Sequence, residues 1–593
     1  MSIKGLLEDL LELRKEPGIS GLHVVMLENS NKRVASLELR QLVEQFRAAG
    51  LRLYLIDRNH HVEDAKHCLV LDGGASQGNK LTIDAARTVL QSYLYALASK
   101  RPGAVVAIFD DDMRFKPLVI EDKRLVRKWI NIVPTLQRLR ETGIDIAIGE
   151  YTGAAPLPFA STVRVQLVDL LASILWLSKL SPDQPLSDNI ARNLQLRKDR
   201  RDFYYDLSRE ETDRLETPFL IEPAKEGETV AEAFIRLSEK CFRILAGEQV
   251  FRPLAINPCL DPIRDMREGL QRGGITFIFN IEALRDVPNP VPSVDGRPTR
   301  RSDMIWALLQ ERHFKRQVVR VPIGLYHDRS NINTYDLKFD CLVDDIRGYA
   351  LFSALKDKLT NGGSIEAASE RVTKYLEERF AAFQLSFHRI RGATKAIRAA
   401  ISKGWFKEEI FQKYSQRILD FCEHLDKLYT PYTLHKIEKA IYKLTPKRTF
   451  EFLRNLSSII EQHKERMKNH DKLANGLNNE RLANAKATAI RLAGVPAQTK
   501  MLGSGAEGVV LTDGQLVYKV FDYWKARNSK VQRTFLKECV GKWPNAQYLY
   551  PLKSLYEEGP DAVLVYPYEE SEPSRGGYGP GILNLLVECH RYG

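Results

Sequence analysis

A chain of 593 residues carrying a formal charge of +12 is too long for one ordinary core, and its length predicts about three to four domains. Its seven cysteines (Cys68, Cys241, Cys259, Cys341, Cys422, Cys539 and Cys589) include no C-x-x-C pair, which excludes a zinc framework and a small secreted disulfide scaffold and predicts a reduced, cytoplasmic protein. The positive excess is concentrated: residues 371–448 hold 17 Lys and Arg against 8 Asp and Glu, so nucleic acid is not expected as a partner.

The opening MSIKGLLEDLLELRKEPG has Glu8, Asp9 and Glu12 inside its apolar stretch and predicts an amphipathic helix, not a signal peptide. The longest apolar run, residues 165–177, is too short for a bilayer and contains Asp169, so no transmembrane segment is expected. Residues 23–27 (HVVML) predict a buried strand ending at Glu28. Helical spacing follows over 37–46, Gly50 stops it, and 51–56 (LRLYLI) form a second strand ending at Asp57, which makes a βαβ unit. A polar, glycine-containing loop leads to a helix near 82–99 and then to a third strand at 105–109. Glu28, Asp57 and Asp110 are therefore expected at one rim of a parallel sheet.

That third strand belongs to AVVAIFDDDMRF, residues 104–115. Five apolar residues of mostly β-branched or aromatic type predict a buried parallel strand that runs straight into three carboxylates. Alternate side chains of an extended segment leave on one face, so Asp110 and Asp112 can converge as hard oxygen donors for Mg²⁺ or Mn²⁺. An acidic run that merely solvates a strand end or caps a helix gives the same letters.

A fourth strand is expected at 144–148, and residues 151–269 read as mainly helical and irregular, with a basic patch at 192–201. The sheet pattern resumes at Gly273 and Gly274, which precede a strand and Asn280. RRSDMIWALLQ (300–310) predicts a helix with Asp303 at its start, and 318–330 a strand ending in His327. Residues 345–494 are helical almost throughout: Val372, Leu376, Phe380, Phe383, Phe387 and Ile390 make one core stripe, and Phe411, Tyr414, Ile418, Phe421 and Leu425 another. From residue 500 the pattern is strand-rich.

In order and spacing, HVVMLENSN, LYLID, KLTIDAARTVL and VVAIFDDDMRF resemble the nucleotide-sugar half of GT-A-fold glycosyltransferases, especially the large inverting family, over about residues 20–335. The resemblance implies a nucleoside-diphosphate sugar as donor and a D-x-D metal site at Asp110 and Asp112, completed by His327. It also implies nucleoside contacts from Glu28 and Asp57, Arg87 near the diphosphate, and Gly273 and Gly274 close to the donor sugar. Asp303 matches the family's general base, which would take the acceptor hydroxyl proton, but Ser302 stands where an acid usually precedes it. The acceptor, whether protein, glycan or small molecule, is not encoded. Gly503, Gly505 and Gly508 in LGSGAEGVV, Lys519 in VYK and Glu538 in FLKECV resemble the small lobe of a protein kinase, which implies a possible ATP site. Neither H-R-D nor D-F-G follows Lys519, so kinase activity is not expected from this chain, and truncation is the favoured explanation over a surviving regulatory lobe.

The expected architecture is α/β: a GT-A-like mixed-sheet domain at 1–340 with a helical insertion at about 151–269, an all-α basic domain at 341–496, and a kinase-like α+β small lobe at 497–593. The expected activity is metal-dependent glycosyl transfer with inversion. A nucleotidyltransferase, or a non-catalytic nucleotide-binding scaffold, remains as the alternative.

Overall fold

The computed structural model describes residues 3–19, 21–29, 33–57, 76–77, 80–154, 160–199, 214–269, 275–289, 293–294, 297–298, 300–330, 339–443, 445–504, 508–521 and 552–567. Packing divides the chain into two compact units, Met1–Leu6 with Ala65–Asn469, and Leu7–Asp64 with His470–Gly593. No helix among the described residues is long and apolar enough to cross a membrane.

The first unit is a mixed α/β body built on a curled ten-stranded mixed sheet. Ile146–Gly153, buried at every position, is its central strand. It runs parallel to Val318–His327, with Ile146 opposite Val318 and Gly153 opposite His327, and antiparallel to Ile275–Ile278 on its other side. Ile275–Ile278 also pairs antiparallel with Val106–Phe109. The expectation of a fully buried parallel strand before the carboxylates is thereby corrected: the neighbour is antiparallel, and only Val106 of the four strand residues is fully buried. A short run of β-branched and aromatic residues suits either kind of ladder, so neighbour direction is not written in it.

The insertion and the basic helices share one core. Ala160–Leu177 and Val230–Lys240 pack with Ile365–Ile401 and Gln412–Leu428. Phe234 stacks on Phe406 with ring centroids 4.5 Å apart, and Trp405 Nε1 donates to the Leu177 carbonyl at 3.1 Å. The stripe Val372, Leu376, Phe380, Phe383, Phe387 and Ile390 is buried throughout, as its spacing predicts. Each such side chain contributes about 1.5–3 kcal/mol over its exposed state. Asp169, the charge inside the apolar run, lies on Arg252, which donates from Nε at 2.5 Å and Nη2 at 3.2 Å; both residues are buried. Burial of a charge in this run is therefore compensated by an ion pair. Strands also occur within 151–269, at Arg214–Glu216, Leu254–Ile256 and Arg267–Glu268.

The second unit contains the first βαβ pattern. His23–Leu27 and Arg52–Ile56 are parallel, as expected, with His23 opposite Arg52 and Leu27 opposite Ile56, joined through helix Arg33–Ala48. They form a two-stranded sheet of their own. The edge of Arg52–Ile56 is capped by side chains of helix Asn478–Ala493: Asn484 bonds the Leu53 N–H and carbonyl, each at 2.8 Å, and Glu480 accepts from the Leu55 N–H at 2.7 Å. Backbone groups that would template another strand are thus satisfied.

The same unit holds a five-stranded antiparallel sheet in the order Lys500–Ser504, Gly508–Thr512, Leu516–Phe521, Asp561–Pro567, Ser554–Glu558. Buried Asp561 pairs with Arg14, Arg52 and Arg491. The segment expected as one basic helical domain at 341–496 contributes to both units: helices up to Thr445–Met467 belong to the first, and His470–Gly476 and Asn478–Ala493 to the second.

Candidate functional site

The site grows from the end of Val106–Phe109. Beyond Phe109 the chain turns, with the Met113 N–H on the Asp110 carbonyl at 3.2 Å, and Met113–Arg114 then pairs antiparallel with the end of Val318–His327. Met113 stands opposite His327, and the Asp328 N–H donates to the Asp112 carbonyl at 2.8 Å. Asp110 and Asp112 are thus spread by a turn and not by strand alternation. Each meets a different partner.

Asp110 faces Arg87, which leaves helix Ile83–Ala98 one turn after its Thr82 cap. Arg87 Nη2 lies 3.3 Å from Asp110 Oδ1, and Nη1 lies 3.9 Å from Asp303 Oδ2. Asp303 is the second residue of helix Ser302–Arg312, and its Oδ1 accepts from the Met304 N–H at 3.0 Å. One guanidinium therefore bridges two of the expected carboxylates. Asp110 keeps 46% of its side-chain surface open. Crowding by protein nevertheless raises its pKa above the ordinary value; Asp112 and Asp303 add to the rise, and Arg87 opposes it. Arg87, Gln91, Asp110, Thr276, Asp303 and Trp306 line a narrow cleft of about 40 Å³.

Asp112 faces His327. Nε2 of the ring is 3.0 Å from Asp112 Oδ2, and Nδ1 is 3.0 Å from the Ala154 carbonyl, which can only accept, so Nδ1 carries the proton. A second proton, on Nε2, makes the ring an imidazolium that donates to Asp112 Oδ2; without it, Nε2 is an acceptor beside the carboxylate. Arg329 Nε lies 3.1 Å from Nε2 and 3.5 Å from Asp112 Oδ2. Burial pushes the Asp112 carboxyl up, but the His327 hydrogen bond and the His327 and Arg329 charges outweigh it and hold Asp112 below the usual range. Asp112 Oδ1 is buried without a hydrogen-bond partner.

These donors suit a divalent ion completed by phosphate and water. Ligands in adjacent positions of a near-octahedral ion at about 2.1 Å stand about 3.0 Å apart, which is the Asp112 to His327 separation. An all-protein cage is not present: among the described residues no group of three His, Cys, Asp or Glu is disposed to hold a metal. Asp110 is turned to Arg87 instead of completing the trio.

The remaining expected residues are distributed as follows. Glu28 and Asp57 end the two strands of the separate parallel pair, so the three strand ends expected at one rim belong to two sheets. Glu28 accepts from the Ser36 hydroxyl, and Asp57 pairs with Arg40 at 3.0 Å. The βαβ spacing is right, but spacing alone does not say which sheet a pair joins. Gly503 lies in Lys500–Ser504, Gly508 opens the next strand, and Lys519 lies on the third strand with its ammonium 4.9 Å from the Phe521 ring. Gly273, Gly274, Gly505 and Glu538 lie outside the described residues.

Two neighbours were not read from the sequence. Arg329, two positions beyond His327, had a signal in that spacing. Asp84, 2% exposed, had none beyond its place in a helical first turn. Burial raises its pKa to about 6. Comparison of the chain with protein-family models, with curated proteins and with solved structures gave no match.

Proposed function

We propose that the first unit is a divalent-metal-dependent glycosyltransferase that moves a sugar from a nucleoside-diphosphate donor to an acceptor hydroxyl with inversion. The observation that carries this reading is the arrangement of Asp110, Arg87 and Asp303 around one cleft, with Asp112 and His327 at the same turn. Asp112 and His327 would hold the ion, and the bound ion would supply charge neutralisation for the departing diphosphate. Arg87 would bind an oxygen of that diphosphate with the guanidinium arms that now reach two carboxylates. Asp303 would accept the acceptor hydroxyl proton at Oδ2. A cleft of about 40 Å³ admits the reacting end of a substrate, not the whole of it.

This reading rests on the first unit and on the resemblance; nucleoside contacts from Glu28 and Asp57 rest on the resemblance alone. In the second unit, the glycine-flanked first two strands and a lysine on the third support a kinase-like small lobe that binds nucleotide. Thermal shift with Mn²⁺ and a panel of UDP-, GDP- and CDP-sugars, against free nucleoside triphosphates, tests the proposal. Metal-dependent stabilisation by a sugar nucleotide supports transfer. Stabilisation by triphosphates alone favours nucleotidyl transfer, and no stabilisation favours a scaffold.

A further inference from the structure

The residue before the Asp303 helix has an unusual backbone. Arg301 caps Ser302–Arg312 from the left-handed region, at φ +80°, and its carbonyl accepts from the Ile305 N–H at 3.0 Å. A non-glycine residue stays there only when its surroundings hold it. Helix Phe339–Asn361 supplies the hold. Arg301 Nη2 lies 3.4 Å from Asp345 Oδ1, and its guanidinium covers the Tyr349 ring at 5.2 Å. Arg379, from helix Ile365–Ile401, takes the other Asp345 oxygen at 3.2 Å and covers the same ring at 4.8 Å. The Arg300 N–H donates to the Asp344 carbonyl at 3.3 Å. Gly348 sits so close beneath that a Cβ there would lie 2.0 Å from the Arg300 carbonyl oxygen.

We propose that Asp345 is a positioning residue for the reaction: through Arg301 it fixes the left-handed elbow that aims Asp303, so the basic helices form the socket of the proposed base. The claim rests on the reading of Asp303 as base. It accounts for a buried carboxylate bridging two arginines from different segments, and for a glycine inside a helix, where glycine is otherwise disfavoured. Metal binding at Asp112 does not pass through this elbow, and Arg87 is held more closely by Asp110, at 3.3 Å, than by Asp303, at 3.9 Å. Loss of the elbow should therefore spare donor affinity.

Asp345→Asn keeps the shape and removes the charge, and Gly348→Ala pushes on the elbow from a second direction. With Mn²⁺ and the sugar nucleotide of the UDP-, GDP- and CDP-sugar panel that the parent hydrolyses fastest, each variant should lose roughly 10²-fold in kcat with donor KM within about twofold. Asp345→Glu should recover part of the rate. Asp345→Asn in an Asp303→Asn background should cost nothing further, because both act through one group. Hydrogen exchange needs no substrate: the Ile305 amide should exchange at least about tenfold faster in both variants, while amides of the Val318–His327 strand are unchanged. Parental kcat in Asp345→Asn, or parental Ile305 exchange in both variants, overturns the positioning role. Full activity of Asp303→Asn overturns the base reading, and the exchange result then still decides whether Asp345 holds the elbow.

Discussion

His327 Nε2 stands 3.0 Å from Asp112 Oδ2, across 215 residues of sequence, because the strand ending at His327 pairs with the two residues that follow Asp112. The ring's other nitrogen is already committed to the Ala154 carbonyl. With the ring neutral, Nε2 and the carboxylate oxygen are two acceptors that a cation can bridge, and the Arg329 guanidinium lies against both at 3.1 and 3.5 Å.

If Asp112 holds the proposed ion, Asp112→Asn should weaken Mn²⁺ binding at least about a hundredfold, since the site would lose an anionic ligand. The melting temperature without metal should change little, because the turn is held by the backbone bonds of Asp112 and Asp328. His327→Ala should lose Mn²⁺ as well, but it also removes the partner of the Ala154 carbonyl and should cost about 1–3 kcal/mol of stability. Calorimetric Mn²⁺ titration beside thermal melts separates the two. Unchanged Mn²⁺ affinity in Asp112→Asn would remove this residue from the metal site.

Much of this unit was legible. The 3-and-4 spacing of Val372 to Ile390 and the strand ending at His327 follow directly from side-chain periodicity, which local backbone geometry enforces. Sheet membership was not legible. Glu28, Asp57 and Asp110 each end a strand of similar composition, but which edge a βαβ unit joins depends on long-range contacts such as the Asn484 bonds to Leu53. The Asp345 hold on Arg301 was equally hidden, since nothing local to RRSDMIW signals a left-handed residue stabilised 44 positions later. At the site, residue types were readable and pairings were not: Asp110 was expected beside Asp112 on a metal and lies on Arg87.

Arg87 holds down a pKa that burial, Asp112 and Asp303 together raise. Removing it in Arg87→Ala should let the Asp110 carboxyl rise further, moving the acid limb of the kcat/KM profile upward. Donor KM should rise too. Arg87→Lys keeps the charge but loses the two-armed reach, so its limb should move less while its KM still rises. A pH–rate profile of Arg87→Ala with the parental acid limb would show that Asp110 does not control activity.

Gly508 opens the second strand of the five-stranded sheet, and a Cβ added there would lie 1.9 Å from the Val520 carbonyl oxygen. That oxygen belongs to the neighbouring strand, with Val509 opposite Val520, so the backbone cannot give way without breaking the ladder. Gly508→Ala should destabilise the second unit by about 1–3 kcal/mol or more. Gly503 has open space around its Cβ position, and Gly503→Ala should be tolerated. Equal melting behaviour of the two variants would mean that glycine is needed at Gly508 for something other than space.

Asp84 and His463, both nearly fully buried in the first unit, should give opposite pH signatures. Burial raises Asp84 from 3.8 to about 6, so its favourable contribution is complete below pH 3.8 and is lost as pH rises through 6. His463 is lowered by burial from 6.5 to about 4; its contribution is complete above pH 6.5 and is lost as pH falls through 4. Each shift corresponds to something on the order of 3 kcal/mol across its window. The two slopes overlap and oppose each other, so in the parent they largely cancel between pH 4 and 6.5. Asp84→Asn removes the falling arm, and its stability relative to the parent should grow as pH rises from 4 to 6. His463→Leu removes the rising arm, and its relative stability should grow as pH falls over the same range. The double variant should again run nearly parallel to the parent. Denaturant melts at half-unit steps of pH measure all four chains, and a single variant that tracks the parent across the window would show that its group keeps its ordinary titration in the fold.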